Sequence, residues 1–196
     1  MGGADEQRNS ANMKGAALGK DVLGRDIRLY SADGKRNVNP DAQLRLTFSS
    51  PPTTGSVGKI NVYDSKDKKL VDTLDFSIPF SPSPYGNGFT KANYTDTTQY
   101  QTNIIGGLDF YFYPILVRNN TATIYLHNNK LTYGRIHLVE IEPSVLKPEK
   151  GSFNGFNLER PWEFSTKTCR PSAGATRVVV AADGSGDFNT IQGAID

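Results

Sequence analysis

The residues with chemical potential are few and scattered. Two carboxylates, Asp183 and Asp187, flank the run Gly184-Ser185-Gly186. Carboxylates separated by glycines can wrap a hard cation, but a calcium loop of the helix-loop-helix kind needs glycine at its sixth position and glutamate at its twelfth. Phe188 and Ala194 stand there. The same run fails as a dinucleotide-binding turn, because Asn189 occupies the place of the third glycine. A turn-forming role is therefore expected for both aspartates. His127 and His137 have no cysteine or carboxylate at a ligand spacing, and without a Gly-x-Ser-x-Gly elbow they do not complete a nucleophilic triad. Surface or edge positions are expected for both. Cys169, the single cysteine, excludes an internal disulfide and a cysteine-based zinc site, and reads as a linker residue. No catalytic residue and no metal ligand is assigned, and substrate-binding residues stay open.

Aromatic side chains offer a second kind of chemistry, stacking on the apolar face of a sugar ring. Tyr85, Phe89, Tyr94 and Tyr100 fall in a stretch, residues 79–103, that carries Pro79, Pro82, Pro84, Gly86 and Gly88 and reads as a long loop. They suit either carbohydrate contact or packing back over the core, and packing is the favoured reading. Phe110, Tyr111, Phe112 and Tyr113 sit in a run, Leu108 to Val117, that is apolar on both faces, so a buried central strand is expected there. Asn93-Tyr94-Thr95 and Asn119-Asn120-Thr121 are formal glycosylation acceptors, relevant only in a eukaryotic secretory host.

The elements that would position these groups are strands. Leu44, Leu46 and Phe48 alternate with polar neighbours, which gives one apolar face and one wet face. Ile60 and Val62, then Leu70 to Phe76, flank the turn-rich Asp64-Ser65-Lys66-Asp67-Lys68 as a hairpin. Ala122 to Leu126 and Gly134 to Ile141 add two strands across Asn128-Asn129-Lys130, and Trp162 and Phe164 alternate in a last one. No segment of 25–167 sustains a helical apolar period over three turns. Seven or eight short strands in about 140 residues predict an antiparallel β-sandwich of immunoglobulin-like type over 25–168, with a closed barrel as the alternative. Residues 1–24 read as a flexible leader and 169–176, Cys169-Arg170-Pro171-Ser172-Ala173-Gly174-Ala175-Thr176, as a linker. Residues 177–196 then repeat a different order: a β-branched strand, a glycine turn, and a helix start capped by Asn189 or Thr190. That order marks the beginning of a further domain.

Composition agrees with this layout. The 196 residues are 37 % hydrophobic and 21 % charged, which fits a globular chain, and 19 glycines with 11 prolines favour turns over long helices. Lysine and arginine number 22 against 20 acidic residues, a net charge of +2 without a basic block, so nucleic acid is not an expected partner. No window approaches the roughly 18 apolar residues of a membrane span, so no membrane association is expected. The first twenty residues lack the apolar core of a secretory signal. A cytosolic chain, an upstream start and a processed chain all remain open on these grounds.

Within the terminal segment, Asp183, Gly184, Gly186, Asp187 and Phe188, followed by Thr190, Ile191, Gln192, Ala194 and Ile195, resemble the opening of the pectin methylesterases. In that family an Asp-Gly-x-Gly-Asp-Phe turn and a Thr-Ile-Gln-x-Ala-Ile helix start cap a right-handed parallel β-helix. Upstream, Asn39-Pro40-Asp41, Gly58-Lys59-Ile60, Leu70-Val71-Asp72-Thr73-Leu74 and Trp162-Glu163-Phe164-Ser165-Thr166 resemble the immunoglobulin-like module that precedes the esterase domain in some bacterial pectinesterases. The resemblance implies a mainly β chain: an immunoglobulin-like sandwich followed by the first strand and cap of a truncated β-helix, 177–196. It also implies a secreted or periplasmic, monomeric protein acting on pectin or a related cell-wall polysaccharide, with no cofactor. The family hydrolyses galacturonate methyl esters with an aspartate nucleophile, a second aspartate as acid and base, glutamines at the oxyanion and an orienting arginine. None of these maps to a residue of this chain, and the family's Gly-x-Tyr-x-Glu segment is missing, so the chain alone is expected to be inactive. The competing expectation is a non-catalytic module that binds polysaccharide or a cell-surface partner.

Overall fold

The computed structural model describes residues 18–20, 26–80 and 100–196. In chain order the elements are β1 (Leu18–Lys20), β2 (Asp26–Tyr30), β3 (Lys35–Val38), β4 (Leu44–Thr47), β5 (Pro52–Thr54), β6 (Lys59–Asp64), β7 (Leu70–Asp75), β8 (Thr102–Ile105), β9 (Leu108–Tyr111), β10 (Ile115–Arg118), β11 (Thr121–Ile124), β12 (Ile136–Ile141), β13 (Leu146–Pro148), β14 (Trp162–Thr166) and a single short helix, α1 (Ile191–Ile195). The chain is mainly β, and among the described residues no sheet closes into a barrel. No described helix is long and apolar enough to cross a membrane.

Period-two alternation builds the two principal sheets. One has the order β1-β2-β4-β11-β10 and is antiparallel throughout. The other has the order β3-β14-β12-β6-β7 and is mixed, because β3 runs parallel to β14. In the first sheet Leu29, Leu44, Leu46, Ala122 and Ile124 are fully buried, and in the second Ile60, Val62, Val139, Trp162 and Phe164 are; all belong to one continuous apolar cluster. Side chains on alternate positions leave the strand on one face, so each sheet turns its apolar face to the other. Burying each of the leucine, isoleucine, valine and phenylalanine side chains contributes about 1.5–3 kcal/mol. The indole of Trp162 keeps its polar atom satisfied in this core by donating from Nε1 to the Ser31 carbonyl at 2.8 Å.

Several expectations need correction. Leu18–Lys20, placed in the flexible leader, pair antiparallel with Asp26–Arg28 as an edge strand; the rest of 1–24 lies outside the described residues. The run Leu108 to Val117 is not a central buried strand. It divides into β9, which among the described strands pairs with β8 alone, and β10, which ends the first sheet as described. On β9 Leu108 is 65 % exposed and Phe110 46 %, and Tyr113, just past its end, is 53 % exposed. His137 is the opposite case, being 1 % exposed. It lies on β12, the middle strand of the second sheet, and shares the inward face with Val139 and Ile141. An imidazole read as an edge group is thus a core residue, packed 5.6 Å from the Phe164 ring.

Residues 177–182, expected as a strand, make only a single parallel bridge, Val180 to Phe188. Val178, Val179 and Val180 stay exposed, and among the described residues no strand pairs with them. The helix start expected behind Asn189 or Thr190 is α1, and Thr190 is its cap: the hydroxyl accepts from Gly193 N at 2.9 Å.

Candidate functional site

Local chemistry fixes the Asp183–Asp187 turn. Asp183 Oδ1 accepts from Ser185 N at 3.0 Å and from its hydroxyl at 2.6 Å, and these donors hold the carboxyl below the usual carboxylate range. Asp187 Oδ2 accepts from Val179 N at 2.9 Å. Both carboxylates therefore stabilise backbone, and no group of three metal-ligating side chains occurs among the described residues. Gly184 adopts φ +80°, in the left-handed region open to glycine. At Gly186 a Cβ would stand 2.5 Å from the Val179 carbonyl oxygen, so the turn closes only with glycine there.

The turn is seated on the sheets by polar groups. The Asp41 carboxylate accepts from Asn189 N at 2.9 Å, from Thr190 N at 2.6 Å and from the Thr190 hydroxyl at 2.8 Å. Asn39 Nδ2 donates to Asn189 Oδ1 at 2.7 Å and to the Gly186 carbonyl at 3.2 Å, and Lys167 Nζ donates to the same carbonyl at 2.6 Å. Tyr30 adds a hydroxyl bond to the Ala182 carbonyl at 3.3 Å. Sequence alone attaches no role to Asn39 or Asp41, since their partners lie about 150 residues away. Phe188 and Asn189 are buried by this contact, whereas Ile191 and Ile195 stay more than 70 % exposed.

A second site ties the edge strand of the second sheet to the segment that follows β11 of the first. Asp72 lies on β7, the edge strand of the second sheet, on the same face as the buried Leu74. His127 follows β11 of the first sheet. The Asp72 side chain is only 3 % exposed, and it bonds His127 Nδ1 at 2.7 Å through Oδ1 and His127 N at 2.9 Å through Oδ2. Thr73 N is a third donor, at 2.9 Å. A carboxylate only accepts, so Nδ1 carries the ring proton in the neutral imidazole and Nε2 is left as an acceptor. The His127 side chain is 20 % exposed and packs against Phe112, with ring centroids 5.1 Å apart. Sequence reasoning placed His127 at a surface or edge but gave no sign of Asp72, 55 residues away.

Two cavities meet at this histidine. The larger, about 640 Å³, is lined by Tyr113, Tyr125, Asn128, Tyr133, Arg170 and Gln192 among others. The smaller, about 440 Å³, is lined by Asp72, Thr102, Asp109 and Lys130. His127, Asn103, Asn128 and Asn129 border both. The amides are held in place: Asn103 Oδ1 accepts from Asn128 N and Asn128 Nδ2 donates to the Ile104 carbonyl, each at 2.9 Å. Burial pushes the Tyr133 hydroxyl above its ordinary pKa.

The imidazole of His137 belongs to neither cavity. Neither of its nitrogens makes a hydrogen bond of normal geometry, and burial pushes its pKa below the ordinary histidine value against the opposing pull of the Thr132 backbone and Asp64. Of the loop aromatics, Tyr100 packs edge-on against Tyr111 with centroids 5.4 Å apart. Tyr85, Phe89, Tyr94 and the acceptor Asn93-Tyr94-Thr95 lie outside the described residues. Cys169 is exposed, beside the Thr168 hydroxyl.

No family model, no curated protein and no solved structure matches the chain.

Proposed function

We propose that the two sheets form an immunoglobulin-like β-sandwich and that residues 177–196 are the first strand and cap of a pectin methylesterase β-helix. The chain is on this reading the N-terminal part of an esterase that converts galacturonate methyl esters and water to the free acid and methanol, without a cofactor. The observation that carries it is the docked turn: its Val180–Phe188 pairing is parallel, as successive β-helix coils are, and Asp41 fixes its helix start. The exposed Val178, Val180, Ile191 and Ile195 support the same reading, since one coil cannot bury its own apolar residues and stacked neighbours are needed. The sandwich then has the task of seating the cap. Export to the periplasm or the medium, a monomeric state and pectin as partner belong to this proposal.

Translation of the gene beyond the Asp196 codon tests it. Further β-helix coils carrying glutamine, two aspartates and arginine support the esterase, and a stop codon at that point refutes it.

A second reading, a non-catalytic module that binds polysaccharide, is favoured by one observation. The cavity beside His127 combines exposed aromatic surface with fixed amides, the surroundings a sugar ring requires.

A further inference from the structure

We propose that the 640 Å³ cleft beside His127 binds an uncharged segment of a sugar chain, an inference that rests on the polysaccharide-binding reading and specifies its site and ligand class. The volume lies within the range of about 300–1,000 Å³ typical of small-ligand sites. A pyranose presents an apolar face and a rim of hydroxyl groups, so it needs an aromatic plane together with rigid planar partners for hydrogen bonding. Tyr113 supplies a half-exposed ring, and Tyr125 and Tyr133 line the same cleft. The rigid partners are Asn128 and His127. The Asn128 amide is fixed by its bond to the Ile104 carbonyl. His127 is fixed by Asp72 at Nδ1, which leaves Nε2 to bond a hydroxyl, as acceptor from the neutral ring or donor from the charged one. Both groups are oriented before any ligand arrives, so binding sacrifices little side-chain freedom.

The charges choose the ligand class. Among the described residues the charged groups bordering the cleft are Asp41, Arg170 and Asp196. The Asp41 carboxylate is occupied by Asn189 and Thr190, and Asp196 accepts from Gln192 Nε2 at 2.6 Å. One guanidinium set against two carboxylates in the same lining gives no positive field for a polyanion. A neutral glycan or a fully methyl-esterified uronate chain fits, and a free polyuronate does not.

Calorimetric titration of the full chain provides the test, with four tetrasaccharides as probes: β-1,4-glucose, β-1,4-mannose, α-1,4-galacturonate and the methyl ester of the last. At least one neutral tetramer is expected to bind, more tightly than free tetragalacturonate, with amide shifts in NMR spectra at Tyr113, His127 and Asn128. Tyr113→Ala, at an exposed position, is expected to weaken binding about threefold to tenfold, the loss of one aromatic stacking contact. Absence of binding to every tetramer at millimolar concentration overturns both the site and the polysaccharide-binding reading. Tighter binding of free tetragalacturonate than of its ester overturns the charge argument. Neutral binding that shifts other residues and survives Tyr113→Ala overturns the cleft alone and leaves the binding reading standing.

Discussion

Replacing Asp41 with alanine should release the terminal turn while leaving the sheets intact. The carboxylate receives three donors from two consecutive residues, Asn189 N, Thr190 N and the Thr190 hydroxyl, at 2.6–2.9 Å for the shorter contacts. A hydrogen bond to a charged group contributes about 1.5–3 kcal/mol. The site is only partly buried, and water can replace a share of the lost bonds. The ties from Asn39, Lys167 and Tyr30 also persist. A net loss of about 2–4 kcal/mol in the free energy of local opening follows. That loss corresponds to an acceleration of amide exchange by roughly 30- to 700-fold over Phe188–Ala194. Hydrogen exchange read by mass spectrometry measures it directly, with β12 and β14 as internal references. Gly193→Ala is an independent route to the same state, because its new Cβ would stand 2.4 Å from an Asp41 oxygen. Exchange over Phe188–Ala194 that neither substitution accelerates would refute the seating of the turn by Asp41.

Three further outcomes are expected. His137, buried and with its pKa lowered by burial, stays neutral in the fold while its unfolded counterpart takes up a proton. Stability is then complete above about pH 6.5 and declines as pH falls from there toward the lowered folded-state value. Urea midpoints followed by Trp162 fluorescence should show this slope, and His137→Phe should flatten it; an unchanged slope refutes the assignment. Leu46→Ala, at a fully buried position of β4, should cost about 2–5 kcal/mol in the same titration, and a cost below 1 kcal/mol would contradict a shared core. Asp72→Ala strips His127 of partners for both its ring and its backbone N–H and should cost about 1–3 kcal/mol, with a shifted Nδ1 proton resonance. An unmoved His127 resonance would show that the pair does not form.

Local alternation was the legible part of the fold. Leu44 and Leu46, Ile60 and Val62, and Trp162 and Phe164 announce their buried faces within their own strands, and each is fully buried. Illegible were the features set by neighbours in space. The Leu108 to Val117 run has the composition of a core strand but sits at an edge, because among the described strands β9 pairs with β8 alone and β10 ends the first sheet. His137 is polar by type, yet its place in the middle of the second sheet makes it core. Composition could not decide between open sheets and a barrel, since strand order is a property of long-range pairing. The Asp72–His127 contact and the Asp41 seat join residues 55 and about 150 positions apart, with no motif to announce either. The Asp183–Asp187 turn was readable because its donors and acceptors lie within eight residues of one another.

Methanol release from highly methyl-esterified pectin tests the proposed role most directly, comparing the 196-residue chain with the same chain extended through further β-helix coils. Hydrolysis requires a nucleophile, a proton donor and oxyanion stabilisation within hydrogen-bond reach, and loss of one oxyanion donor alone costs about 10²–10³ in rate. Asp183 and Asp187 are engaged by Ser185 and Val179, so the 196-residue chain should release no methanol while the extended protein turns over. Methanol release by the 196-residue chain that survives repurification and vanishes on replacing Asp183 or Asp187 would contradict the account.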